Sequence, residues 1–249
     1  LRAFLKALKP RSESVATART LALGRASPLE AIEDLKARPP TPQRVRDLCQ
    51  LDGKAVYSTL TAWYQQSRDE ALNRCIAVQL QLKGDPDAVP ALIRMMAMNK
   101  ADVSPCDLVL AIGACGGAEA ERFLVELGGG PRGRYSYNLV TALGSVKGPS
   151  AAEALEALAL KESDRAERQR ICEALVTNQT GRALEALETL LAREFLPIYG
   201  LSQFDDERAV ALLVSLWERA PRPFIAEGLV RSLGACKHPS AAAWLARHS

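Results

Sequence analysis

The 249-residue sequence is poor in the residues that build β-sheets. Aromatic residues make up 5% of the chain, and Ile and Val together number 21, against 40 Ala and 36 Leu. Sheets favour β-branched and aromatic residues, whereas Ala and Leu are strong helix formers. The composition therefore disfavours a β-sandwich, a barrel or a parallel-sheet enzyme, and it predicts an all-α protein.

Residues and motifs typical of metal and nucleophile chemistry are also scarce. The chain has two histidines, His238 and His248, and its six cysteines form no CxxC pair. It contains no HExxH sequence and no carboxylate set with metal-ligand spacing, so we expect no metal, no cofactor and no catalytic cysteine. Cysteines among apolar neighbours are typical of reduced, buried thiols, which predicts a cytoplasmic protein. No apolar run has the length that a membrane span requires.

Concentrated charge of one sign is absent as well. The net charge is +3, falling from +5 in residues 1–66 to −2 in residues 151–249. A groove for duplex DNA would carry Lys and Arg along several consecutive repeats, whereas the helices of this chain mix both signs. Nucleic-acid binding is therefore the third of our functional hypotheses.

The sequence does contain an internal repeat of about 30 residues. Four segments align as a helix end, a short turn and the start of a second helix: 111–124, 142–155, 174–187 and 232–245. Helix-start signals recur at Ser27, Thr41, Asp85 and Ser104, each followed by Pro, and at Ser150 with Glu153. Only stacked helix pairs can bury the apolar stripes of such helices. The repeat predicts an all-α, right-handed superhelix of about eight helix pairs, with residues 1–249 as a single domain.

Three glycines occupy one position of the repeat, near a helix end: Gly113, Gly144 and Gly234. We predict that each lies where the next helix passes too closely for a larger side chain. Replacing Gly144 by Leu should then overpack the junction.

The helix end ALG at 142–144, the turn GDP at 84–86 and the segment LKGDPDAVPAL at 82–92 resemble HEAT-like repeats of the phycobilisome-lyase type. The resemblance covers nearly the whole chain and implies an α-solenoid. Members of this group include bilin lyase subunits, assembly scaffolds and many bacterial adaptors, so the resemblance leaves the activity open.

One candidate site is the Gly-rich segment 128–137, which contains Arg132, Arg134, Tyr135 and Tyr137 just before a helix. Two arginines and free amides at a helix start can hold a phosphate or a carboxylate. The alternative is a helix C-cap followed by a connecting loop.

A second candidate is the helix at 52–66, which carries the densest aromatic group of the chain, Tyr57, Trp63 and Tyr64. Exposed Tyr and Trp are favoured anchors at interfaces. Aromatic residues at helical spacing also commonly fill a core, and that alternative stays open.

From these features we predict a non-catalytic scaffold or adaptor that binds another protein or peptide on the concave face of the solenoid. The alternative is a lyase-like or ligand-handling enzyme subunit, as the resemblance to bilin lyases implies. The segment LRAFLKALK resembles the middle of an amphipathic helix, so we expect the domain to belong to a longer chain. We also expect Trp244 and Leu245, at an uncapped end, to favour a homodimer.

Overall fold

The structure is a computed structural model that describes residues 12–98, 103–129, 136–194, 196 and 198–248. These residues form fifteen α-helices and two short 3-10 helices, with no strand among them. The α-helices are α1 (Glu13–Ala26), α2 (Pro28–Lys36), α3 (Pro42–Cys49), α4 (Lys54–Gln66), α5 (Glu70–Lys83), α6 (Val89–Met98), α7 (Pro105–Cys115), α8 (Gly117–Gly129), α9 (Ser136–Ser145), α10 (Pro149–Lys161), α11 (Arg165–Asn178), α12 (Gly181–Arg193), α13 (Glu207–Glu218), α14 (Pro223–Ala235) and α15 (Pro239–His248). The 3-10 helices are Pro86–Ala88 and Tyr199–Gln203. The predicted all-α fold class is confirmed.

The chain divides into two compact units, residues 1–120 and 121–249, and the division falls inside α8. In the first unit, α1, α3, α5 and α7 pack successively on one another, and α2, α4 and α6 form the second layer. In the second unit the first layer consists of α9, α11, the 3-10 helix Tyr199–Gln203 and α14, and the second layer consists of α10, α12, α13 and α15. Within each layer, successive elements pack on one another, as stacked HEAT-like pairs require.

Short polar residues begin several of these helices as predicted. The side chains of Thr41, Asp85 and Ser104 each accept a hydrogen bond from a backbone N–H in the first turn that follows. At α10 the cap is of another kind: Gly148 is the N-cap residue, and the Ala151 N–H donates to Glu121 Oε1 at 3.0 Å. A Cβ on Gly148 would collide with that carboxylate, so Glu121 can cap α10 only because residue 148 is glycine.

The packing prediction for the repeated glycine is confirmed at Gly144 and wrong at Gly234. A Cβ at Gly144 would lie 2.8 Å from the Ala174 carbonyl oxygen, so α9 and α11 touch there through their backbones. A Cβ at Gly234 would meet no atom within 4 Å, so no close approach requires a glycine there.

Polar side chains link neighbouring repeats within each unit. In the first unit, Lys83 Nζ donates to the carbonyl oxygens of Cys49 at 3.1 Å and Leu51 at 2.9 Å, at the C-terminal end of α3. In the second unit, the buried Asn178 donates through Nδ2 to the Gly148 carbonyl oxygen at 3.1 Å. Lys83 thereby satisfies carbonyl groups that the end of α3 leaves without a helical partner. The Gly148 carbonyl oxygen accepts from the Ala152 N–H at 3.2 Å as well as from Asn178.

Candidate functional site

The first layer of the second unit exposes three aromatic rings, Tyr137 on α9, Tyr199 on the second 3-10 helix and Phe224 on α14. Their exposed fractions are 61%, 40% and 62%. Large exposed aromatic side chains mark ligand and interaction sites when they line a concave surface. Two grooves of this layer are lined by these rings.

The first groove lies between α9 and α11 and has a volume of about 390 Å³. Arg170 lies over the Tyr137 ring, with its guanidinium carbon 5.6 Å from the ring centroid, and pairs with Glu167 at 2.7 Å. Glu173 also lines the groove, so two carboxylates face one guanidinium. The resulting charge of −1 disfavours an anionic ligand here.

The second groove lies between the helix Tyr199–Gln203 and α14 and has a volume of about 590 Å³. Phe224, Gly228, Arg231 and Ala235 follow one another at helical spacing, so they line one face of α14. Tyr199 lies directly on Gly228: a Cβ there would be 2.7 Å from Tyr199 Cε1. The Tyr199 ring can therefore rest on the helix backbone only because residue 228 has no side chain.

The second groove is neutral, because Glu227 and Arg231 contribute one charge of each sign. The Arg231 side chain is exposed and makes no hydrogen bond or ion pair with any residue that the structure describes. An unpaired guanidinium beside aromatic rings can form a bidentate contact with a carboxylate. The arrangement suits a flat, conjugated molecule that carries an acid group.

The aromatic group of the helix predicted at 52–66 lies in the core of the first unit. Tyr57 is 3% exposed, Trp63 6% and Tyr64 0%. Tyr57 also donates a short hydrogen bond through its hydroxyl to Asp85, at the turn before α6. Of the two alternatives for these residues, the structure shows the core, because their rings fill the space between stacked helices and present no surface to a partner.

Only part of the Gly-rich candidate segment can be placed. Tyr137 lines the first groove, whereas Arg132, Arg134 and Tyr135 lie outside the described residues. Tyr199 and Phe224 were not predicted from the sequence. They are 25 positions apart, and no motif identified above contains either of them. A possible signal was Gly228, a glycine inside a helical pattern, since such glycines commonly mark close packing or a site.

Three thiols, those of Cys49, Cys115 and Cys172, are poor nucleophiles in this structure. Burial raises the pKa of Cys115 to about 11 and that of Cys172 to about 12. Burial also raises the pKa of Cys49 to about 11, although the nearby Lys83 opposes the shift. A catalytic cysteine requires the opposite shift, because the thiolate is the reactive form. The described residues contain no group of three or more His, Cys, Asp or Glu that could hold a metal ion.

Taken with the two-layer packing, these grooves define a helical-repeat protein whose second unit carries open sites on its first layer. No protein-family model and no curated protein matches the chain. Among solved structures, it is similar to human deoxyhypusine hydroxylase in complex with glycerol, with 21% identity, a TM-score of 0.37, and coverage of 94% of this chain and 91% of that one.

It is also similar to the complex of CpcE and CpcF of phycocyanin lyase from Nostoc sp., with 18% identity, a TM-score of 0.38, and coverage of 93% of this chain and 91% of that one. A third similar structure is a computationally designed, self-assembling cyclic homo-oligomer, with 17% identity, a TM-score of 0.18, and coverage of 90% and 86%. In the described part of the chain, no helix has the length and apolar character to cross a membrane.

The comparisons correct the first functional prediction, that of a non-catalytic scaffold. The two natural proteins named among the similar structures are an enzyme and a lyase complex, so that prediction is withdrawn.

Proposed function

We propose that this protein is a ligand-handling subunit of an enzyme, and that it holds a flat, conjugated, carboxylate-bearing ligand in the groove between Tyr199–Gln203 and α14. One observation carries the proposal: two exposed rings, Tyr199 and Phe224, line a neutral groove of about 590 Å³ together with Arg231, which has no partner among the described residues. That volume falls in the range of small-molecule sites. The resemblance to phycobilisome-lyase-type repeats points to a linear tetrapyrrole as the first ligand to test.

The role proposed is binding and orientation of the ligand rather than bond formation by this chain alone. Raised thiol pKa values leave Cys115 and Cys172 without nucleophilic character near neutral pH. Bond formation to the ligand then requires a partner protein, in line with the predicted binding of another protein or peptide. The cysteines are free thiols, which supports a reducing, cytoplasmic setting for the complex.

The test is a titration of the protein with a linear tetrapyrrole bearing two propionate groups, followed by visible absorption. We expect a spectral shift on binding and at least a tenfold loss of affinity in Phe224→Ala and in Arg231→Gln, since each removes a principal contact. Tyr137→Ala is the matched control, because its ring is equally exposed but lines the groove with negative charge. Equal affinity in Phe224→Ala, Arg231→Gln and the unmodified protein would overturn the proposal.

The first groove is a second candidate for the same role, favoured by the stacking of Arg170 on Tyr137 and by the proximity in sequence of Arg132, Arg134 and Tyr135. A loss of tetrapyrrole uptake in Tyr137→Ala, with uptake retained in Phe224→Ala, would place the ligand there.

A further inference from the structure

Both histidines of the chain belong to the last helix pair, and they lie at opposite ends of α15. His238 is the residue immediately before α15, and His248 is its last residue. The positive end of the helix dipole is at the N-terminus, so protonation has opposite effects at the two positions. A proton on His248 is favourable there, whereas a proton on His238 is unfavourable.

His238 caps α15 through its ring. The Ser240 N–H donates to His238 Nδ1 at 3.4 Å, and the Ser240 hydroxyl lies 2.8 Å from the same nitrogen. A backbone N–H can only donate, so Nδ1 must carry a lone pair for this bond to exist. Protonation of Nδ1 removes the lone pair and turns the cap into a second donor.

The attachment of α15 is weak enough for one cap to matter. Ala241 is the one fully buried residue among the described residues of the helix. The other main contact is aromatic: Trp244 meets Trp217 of α13 edge-on at 5.0 Å, and His248 stacks on Trp244 at 4.2 Å. A helix of ten residues with so little buried surface depends on its cap for order.

One carboxylate and one lysine lie among the groups near His238. Hydrogen bonds from Arg208 lower the pKa of Asp206, and the charge of His238 lowers it further, so this carboxylate stays ionised well below pH 7. Asp206 directly precedes α13 and offers the protonated ring an opposite charge. Cys236, the residue that follows α14, carries a thiol whose pKa is raised by burial. Lys237 is the remaining charged neighbour along the chain.

We propose that His238 is a pH-sensitive cap, which holds α15 in place when neutral and releases the helix from Trp217 when protonated. Protonation of the ring removes the acceptor of the cap, so acidification uncovers the face of α13 around Trp217. The inference is independent of the ligand site, which involves neither histidine.

The test is hydrogen–deuterium exchange of the peptide covering 239–248 at pH 5.0 and pH 8.0, after correction for intrinsic exchange rates. We expect protection of this segment to fall about fivefold or more at the lower pH, the size of effect that loss of an N-cap produces. In His238→Asn, which supplies a cap without a titrating group, protection should be nearly equal at the two pH values. His248→Gln should retain the fall in protection.

Two outcomes would overturn the proposal. One is equal protection of α15 at both pH values in the unmodified protein. The other is a fall in protection that persists in His238→Asn and disappears in His248→Gln, because the response would then belong to the other end of the helix.

Discussion

The two units differ in where their most prominent aromatic residues lie. In the first unit Tyr57, Trp63 and Tyr64 lie close together in sequence and are buried, whereas in the second unit Tyr137, Tyr199 and Phe224 lie far apart in sequence and are exposed. In this protein, the aromatic residues that cluster in the sequence therefore belong to the hydrophobic core. The isolated rings, each on a different helix of one layer, form the candidate ligand surface. Stacking of repeats brings together residues that the sequence separates.

The largest effect that this contrast predicts is on stability. Tyr64→Ala leaves a cavity between stacked helices and should lower the free energy of unfolding by about 3–5 kcal/mol. Phe224→Ala removes an exposed ring of similar size and should change it by no more than about 0.5 kcal/mol. Urea unfolding followed by circular dichroism measures both. Comparable losses in the two variants would show that the second unit also depends on its exposed rings for stability.

A smaller effect should follow at the glycines that separate the helices of the first layer. Gly144→Ala places a methyl group against the Ala174 backbone, which cannot move without parting α9 from α11, so we expect a loss of about 1–3 kcal/mol. In Gly24→Ala, in the first unit, the new methyl group meets the terminal methyl of Leu51, a flexible side chain that can shift. Its cost should be smaller.

Gly234→Ala is the control for both glycine variants, since the methyl group there meets open space. Removal of a helical glycine should leave the melting temperature unchanged or slightly raised. A melting temperature in Gly144→Ala equal to that of Gly234→Ala would contradict the close approach of α9 and α11.

The smallest predicted effect concerns two tyrosine hydroxyls. The Tyr57 hydrogen bond lowers the pKa of Asp85, so it stabilises the folded state above the ordinary carboxyl pKa near 4 and ceases to do so as the pH falls below that value. Tyr57→Phe should therefore lower stability by about 1 kcal/mol at pH 7 and by less at pH 3. Tyr199→Phe should have no effect at either pH, because that hydroxyl has no partner among the described residues. Urea titrations at both pH values test the pair, and a pH-independent loss in Tyr57→Phe would contradict it.

Local signals in the sequence predicted much of the fold. The pairs Thr41–Pro42, Asp85–Pro86 and Ser104–Pro105 each begin a helix, because a cap oxygen and a proline act within one turn. The predicted capping box at Ser150 is wrong: α10 begins at Pro149, and Glu121, from α8, caps its first turn. That contact joins residues 30 positions apart. No local pattern encodes it.

Most of the candidate site could not be predicted from the sequence either, because its residues are also distant from one another along the chain. Tyr199 and Phe224 line one groove because α14 packs against the 3-10 helix Tyr199–Gln203, and Tyr199 can lie on α14 because Gly228 has no side chain. Tyr137 could be singled out because it follows a Gly-rich segment. The burial of Tyr57, Trp63 and Tyr64 depends on the helices that cover them, and the helical spacing alone allowed either outcome.

The polar links between repeats have a kinetic consequence. Lys83 reaches back 34 residues to Cys49, Glu121 reaches forward 30 residues to Ala151, and Asn178 reaches back 30 residues to Gly148. Every one of these bonds spans about one repeat, so closing it requires a loop of fixed, moderate length rather than a search across the whole chain. A chain assembled from such contacts has a low contact order, which favours rapid folding by addition of one repeat to the next, in an order compatible with emergence from the ribosome.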